Sequence, residues 1–251
     1  MTRYEIMHLW GVPLDFNGLS WDTVLTEATC APKSAEFRTR YLDALLTINA
    51  RTHRRYHEIS EITFVPILSP WLSMDALQKE PWFTDARILK IIPIFDHVTD
   101  AYFTERLPHF LDGCPQSIIM IHTGWGAPIL PLEPLIQRYS KKHFVIAYMK
   151  EDTDAMNHAR IRLLQTYSNV SMELSSLSSP KRLHQYVHDY HFADRILFGS
   201  DLRTDADAVS FQWFSNAVTL CNFSAEVTAK IFYRNAQQLM QKYHVPSPQY
   251  V

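Results

Sequence analysis

Arg195-Ile196-Leu197-Phe198-Gly199-Ser200-Asp201 is the stretch on which the reading of the fold turns. The run from Ile196 to Gly199 is apolar, short, and ends in a polar tip. It is too short for a buried helix and reads as a buried parallel strand. Asp201 stands where that strand stops. A carboxylate at the end of a buried strand is costly unless a metal, a proton or a hydrogen-bond donor pairs with it. The alternative is that Ser200 and Asp201 simply open the next helix, since both residue types cap well.

Working outward, further β-rich runs fall at 5–10, 62–68, 88–95, 117–121, 143–148 and 170–174. Helical spacing of apolar residues predicts helices at 35–58, 73–80, 99–111, 132–140, 154–167, 180–190, 205–221 and 224–242. Strands alternating with helices are the pattern of a parallel sheet with helical crossovers. Seven strands, with an eighth unplaced within 11–60 or 66–86, predict an α/β fold, a (β/α)8 TIM-like barrel. Residues 1–251 then form a single barrel domain, a usual size for this architecture. An open doubly wound sheet is the alternative, but no Gly-x-Gly-x-x-Gly follows any strand.

Composition narrows the function. A net charge of −2 gives no electrostatic case for nucleic acid or an anionic membrane. No window reaches the length of a membrane span. The N-terminus, Met1-Thr2-Arg3-Tyr4-Glu5, lacks the apolar run of a signal peptide. Three scattered cysteines, Cys30, Cys114 and Cys221, argue against a disulfide framework. A reducing, cytoplasmic setting and a small-molecule substrate are the expectations.

Arg195 to Asp201, with Arg234-Asn235-Ala236-Gln237-Gln238-Leu239 some thirty residues on, resembles the closing signature of the amidohydrolase-2 family. Ile119-Met120-Ile121-His122-Thr123-Gly124 is similar to that family's strand-five histidine motif. The resemblance spans about residues 4 to 242 and is weakest at the N-terminus. It implies a metal-dependent TIM-barrel hydrolase or decarboxylase, often dimeric. It makes Asp201 a metal ligand and proton-shuttling base, and His8 and His122 metal ligands, with zinc or manganese as the ion. Lys90 resembles the family's strand-four lysine, which suits a substrate carboxylate.

The chain departs from the family in two places. Ile6 stands where the first histidine of a His-x-His belongs, and Tyr148 stands where strand six carries a histidine. Neither replaces an imidazole as a zinc ligand. Two rival readings follow. One is a metal-free acid–base enzyme working through His122, Tyr148 and Asp201, with Tyr148 as proton donor. The other is a barrel that binds a ligand or partner without catalysis.

The remaining candidates come from position. In a TIM barrel the active site lies at the C-terminal ends of the strands. The polar strand ends are His8, Ser69, Asp96 with His97, His122, Tyr148, Glu173 and Asp201. Glu173 either enters the mouth or is a solvated strand-end charge. Trp71, Trp82 and Trp125 read as loop residues after strands, with Trp125 a candidate pocket wall. His53 with His57, and His184 with His188, each four apart on outer helices, read as surface groups.

Overall fold

The computed structural model describes residues 35–56, 63–93, 96, 98, 101–123, 129, 131–147, 153–175, 177, 179–199 and 215–245. Among them six strands form one sheet: β1 (Ile67–Leu68), β2 (Ile88–Ile91), β3 (Ile118–His122), β4 (His143–Ala147), β5 (Val170–Glu173) and β6 (Ile196–Leu197). Every neighbouring pair is parallel, and the strands lie side by side in chain order. A doubly wound sheet reverses its order at a switch point. This sheet never does. With right-handed crossovers, an unreversed order puts the helices on one side, so the other side is covered only if the sheet curls on itself. This is the wall of a TIM-like α/β barrel. The expected strand at 5–10 lies outside the described residues.

Register divides the strands into two faces. Leu89, Ile91, Ile119, Ile121, Phe144, Ile146, Met172 and Ile196 share a core with helix residues such as Phe110, Leu135, Leu164 and Leu183. The alternate residues face inward. Lys90 pairs with Met120, Met120 with Val145, and Val145 with Ser171. A second core of Ile88, Ile118, Met120, Val145, Ala147 and Leu197 meets Leu239, Met240 and Val245. The helix Asn235–Lys242 and the residues after it therefore plug the end where the strands begin. Burial on both faces explains why the strands read as unbroken apolar runs.

Each residue of the 195–199 stretch has its own structural task. Arg195 Nη1 donates to the carbonyls of Leu164 at 2.6 Å and Tyr167 at 2.7 Å, capping the end of helix Asp154–Thr166. Ile196 faces the helices and Leu197 the interior. The Phe198 N–H donates to the Ile231 carbonyl at 3.0 Å, and its ring lies 4.8 Å from that of Phe232. Asn235 Nδ2 donates to the carbonyls of Ala193 at 2.7 Å and Ile196 at 2.8 Å. The two halves of the motif thus hold each other.

The structure shifts some predicted elements. The expected helix at 73–80 is shorter, Met74–Leu77, and a second short helix, Pro81–Asp85, follows it where none was expected. Glu80 precedes a proline and is extended, with ψ 115°, which separates them. Trp82 thereby sits in a helix rather than a loop, buried with its ring 6.3 Å from those of Phe64 and Phe83. The helix predicted at 99–111 includes a wide π turn, Tyr102–Arg106, before Leu107–Asp112. Pro108 has no N–H to continue regular pairing, and a π turn next to it absorbs the defect. β1 is only two residues long; Pro66, directly before it, cannot donate to a ladder. The amide of Asn49 attends that strand, with Nδ2 donating to the Ile67 carbonyl at 2.7 Å and Oδ1 accepting the Ile67 N–H at 3.0 Å. No helix among the described residues is long and apolar enough to cross a membrane.

Two outcomes follow for stability. Asn235→Ala removes the donor to two carbonyls at a buried junction and should cost about 1–3 kcal/mol in denaturant unfolding. His143 sits at the plugged end, 2.9 Å from Ser171 Oγ by Nε2, with the Tyr243 ring 5.7 Å away. Burial, then the charges of Lys242 and Arg195, pull its pKa down to about 3. The unfolded chain therefore binds a proton that the folded one refuses. The stability this gives is complete above about pH 6.5 and is lost as pH falls from there toward 3. His143→Gln should flatten the acid limb of a stability–pH curve by up to about 1.4 kcal/mol per pH unit.

Candidate active site in the barrel mouth

Lys90 and His122 come from adjacent strands and share the inward parity, Lys90 beside Met120 and His122 beside Ala147. Lys90 is 4% exposed and His122 6%. A lysine in such a place must pair or shed its proton. Burial is the main force holding the His122 imidazole well below its ordinary pKa, and the nearby charge of Lys90 adds to it. At neutral pH the ring is uncharged and keeps a lone pair for a proton or a cation.

Glu173 ends β5 on the same inner face, opposite Leu197. It is 2% exposed, which removes the reading of a solvated strand-end charge. Its Oε1 accepts the Ser175 N–H at 2.7 Å and its Oε2 accepts the Ser175 hydroxyl at 2.6 Å. The carboxylate lies against the backbone of Gly199. A Cβ at Gly199 would come within 1.3 Å of Glu173 Oε1. Gly199 is glycine because a neighbouring carboxylate fills the space of its missing side chain. That contact fixes the backbone two residues before Asp201.

A third polar group gathers where β1 and β2 end. Ser69 Oγ donates to Asp96 Oδ1 at 2.5 Å, and Tyr102 donates to Asp96 Oδ2 at 2.7 Å. Trp71 Nε1 donates to the Asp96 carbonyl at 2.8 Å, and the Trp71 N–H to Ser69 Oγ at 3.2 Å. Burial and then the Asp96 carboxylate raise the Tyr102 pKa well above its ordinary value, so Tyr102 stays a donor. The network ties the Trp71 loop to the end of β2.

Of the residues singled out from the sequence, Lys90, His122 and Glu173 share the inner face. Ser69 and Asp96 pair with each other at the strand ends. His8, His97, Trp125, Tyr148 and Asp201 lie outside the described residues. His184 and His188 are exposed on the outer helix Pro180–His188, their rings 4.2 Å apart and close to Phe223. His53 is half-buried against the Phe64 ring at 5.4 Å. Sequence reasoning missed Tyr102, Ser175 and Gly199. Tyr102 follows Asp96 at a spacing that no periodicity marks. Ser175 follows Glu173 by two, which is the one visible signal.

As to a metal, His122 fits one ligand position, being buried and neutral. Among the described residues no three His, Cys, Asp or Glu side chains are grouped to hold an ion. A complete ligand set would have to draw on donors such as His8 and Asp201.

No family model matches the chain, and no curated protein does. The chain is similar in structure to an uncharacterized TIM-barrel protein from Bordetella bronchiseptica. That likeness has a TM-score of 0.57 at 17% identity and covers 79% of this chain and 72% of the other. The fold is a TIM-like α/β barrel.

Gly199→Ala should destabilise the protein by more than about 2 kcal/mol, since a new methyl must displace a buried carboxylate. In a Glu173→Ala background the same change should cost less than about 1 kcal/mol. A chemical-denaturation double-mutant cycle reads the difference. Equal penalties in both backgrounds would show that the contact is not the reason for the glycine.

Proposed function

We propose that the chain is an enzyme of the amidohydrolase type acting on a small anionic substrate in the barrel mouth. It would hydrolyse a C–N or C–O bond or remove a carboxyl group. The observation that carries the reading is the Lys90–His122 pair. A cationic side chain and a neutral imidazole are buried together on adjacent strands, toward the end of the wall where TIM barrels do chemistry. Lys90 binds the substrate's carboxylate and holds it in place. His122 takes a proton from the attacking water or the substrate, and returns it to the leaving group. Asp201, on the best-matched motif, supplies the second acid–base group. Glu173 is held by Ser175 and keeps the β5–β6 mouth in shape. A divalent ion, when bound, would lower the pKa of a water and polarise a carbonyl, with His122 among its ligands.

One observation favours the metal-free version of this chemistry. Lys90 lies within electrostatic reach of His122, and its positive charge opposes a second cation there. Metal binding should accordingly be weak and readily lost on dialysis against a mild chelator. Stoichiometric retention would speak for the metal-dependent version.

The test begins with a panel of small aromatic and heteroaromatic acids, amides and lactones, with product followed by chromatography. On any substrate found, His122→Asn and Asp201→Asn should each lower turnover by roughly two to four orders of magnitude. Lys90→Met should raise KM for the anionic substrate about tenfold or more, with little change for a neutral analogue. Unchanged turnover in His122→Asn would refute the assignment.

A further inference from the structure

A groove of about 300 Å³ lies beside the ends of β1 and β2, lined by Trp71, Ala101, Tyr102, Glu105, Arg106 and His109. It runs between the Trp71 loop and one side of helical residues 101–112, where Ala101, Glu105 and His109 are exposed one turn apart. Its charge is arranged around one indole. The Arg106 guanidinium carbon lies 4.6 Å from the Trp71 ring centre, and that of Arg38 lies 4.5 Å from it. Stacking on an aromatic face holds a guanidinium in place without using its hydrogen-bond donors. Arg106 Nε is buried and donates to no acceptor among the described residues. An anion at the terminal nitrogens of the same guanidinium meets a charge that stacking has already positioned. The π turn Tyr102–Arg106 builds this wall, and π turns recur where a helix is shaped for function rather than for regular packing. Trp71 and Tyr102 also reach Asp96, one at its backbone carbonyl and the other at its carboxylate, so both walls are fixed by the same residue.

We propose that this groove binds a small organic carboxylate, separately from the Lys90–His122 pair. The guanidinium fork of Arg106 meets the two oxygens, His109 provides a further donor, and the apolar body lies along Ala101 and Trp71. Glu105 on the lining turns away dianions and favours a single negative charge. The volume suits a one-ring acid at the low end of ligand pockets. No residue of the groove belongs to the Lys90–His122 pair, so variants at the two places can be read separately.

The experiment follows the indole N–H signals of the full chain in 1H–15N spectra, with Trp71 identified by Trp71→Phe. Benzoate is titrated against benzamide, its neutral isostere. Benzoate should move the Trp71 signal saturably, and benzamide should bind at least about tenfold more weakly. Arg106→Gln should weaken benzoate by a similar factor. Ala101→Phe, at an exposed helix position, should block the groove with the melting temperature unchanged, and it serves as the reading if Arg106→Gln does not fold. His122→Asn should leave the Trp71 titration as it is. The proposal is overturned by equal binding of benzoate and benzamide, by no Trp71 response at millimolar benzoate, by wild-type affinity in both groove variants, or by loss of the response in His122→Asn.

Discussion

Between Glu173 and Gly199 there is no room for a methyl group, and much of the mouth depends on that closeness. A buried carboxylate needs donors, and Ser175 gives it two. It also needs space, and the neighbouring strand gives it by having no side chain at Gly199. β5 and β6 are thereby locked through a charged group inside the barrel and not only through their short ladder. The inner face then holds Lys90, His122 and Glu173 on one wall. Burial and the nearby charge of Lys90 keep the His122 ring uncharged. The apolar layer beneath them, closed by Leu239, Met240 and Val245, keeps water from entering below.

The architecture was largely visible in the sequence. Strands buried on both faces give apolar runs that no other element of this length gives, so β2 to β6 were placed nearly where they are. The errors have physical causes. Pro81 opens a five-residue helix, too short for periodicity to mark. Pro66 shortened β1. The π turn at Tyr102–Arg106 changes which residues share a helix face, and a 3.6-residue period cannot show that.

The site was legible only where chemistry and strand position coincide. Lys90 stood out because a lysine inside an apolar run has to be accounted for, and His122 because it ends a strand. Glu173 was ambiguous for a plain reason. Alternation says which side a strand residue takes, but not whether that side is wet, and the answer lay in Gly199, far along the chain. Tyr102 and the Ser69–Asp96 bond depend on how two loops meet. No local pattern encodes that meeting.

The Asn49 amide has a consequence beyond the barrel wall. A short strand presents an N–H and a carbonyl in the geometry that another extended chain matches. At Ile67 both are already taken by one side chain on the preceding helix. An amide that mimics a peptide unit completes the pairing of Ile67, so the helix 35–56 supplies through one side chain what a strand would supply through its backbone.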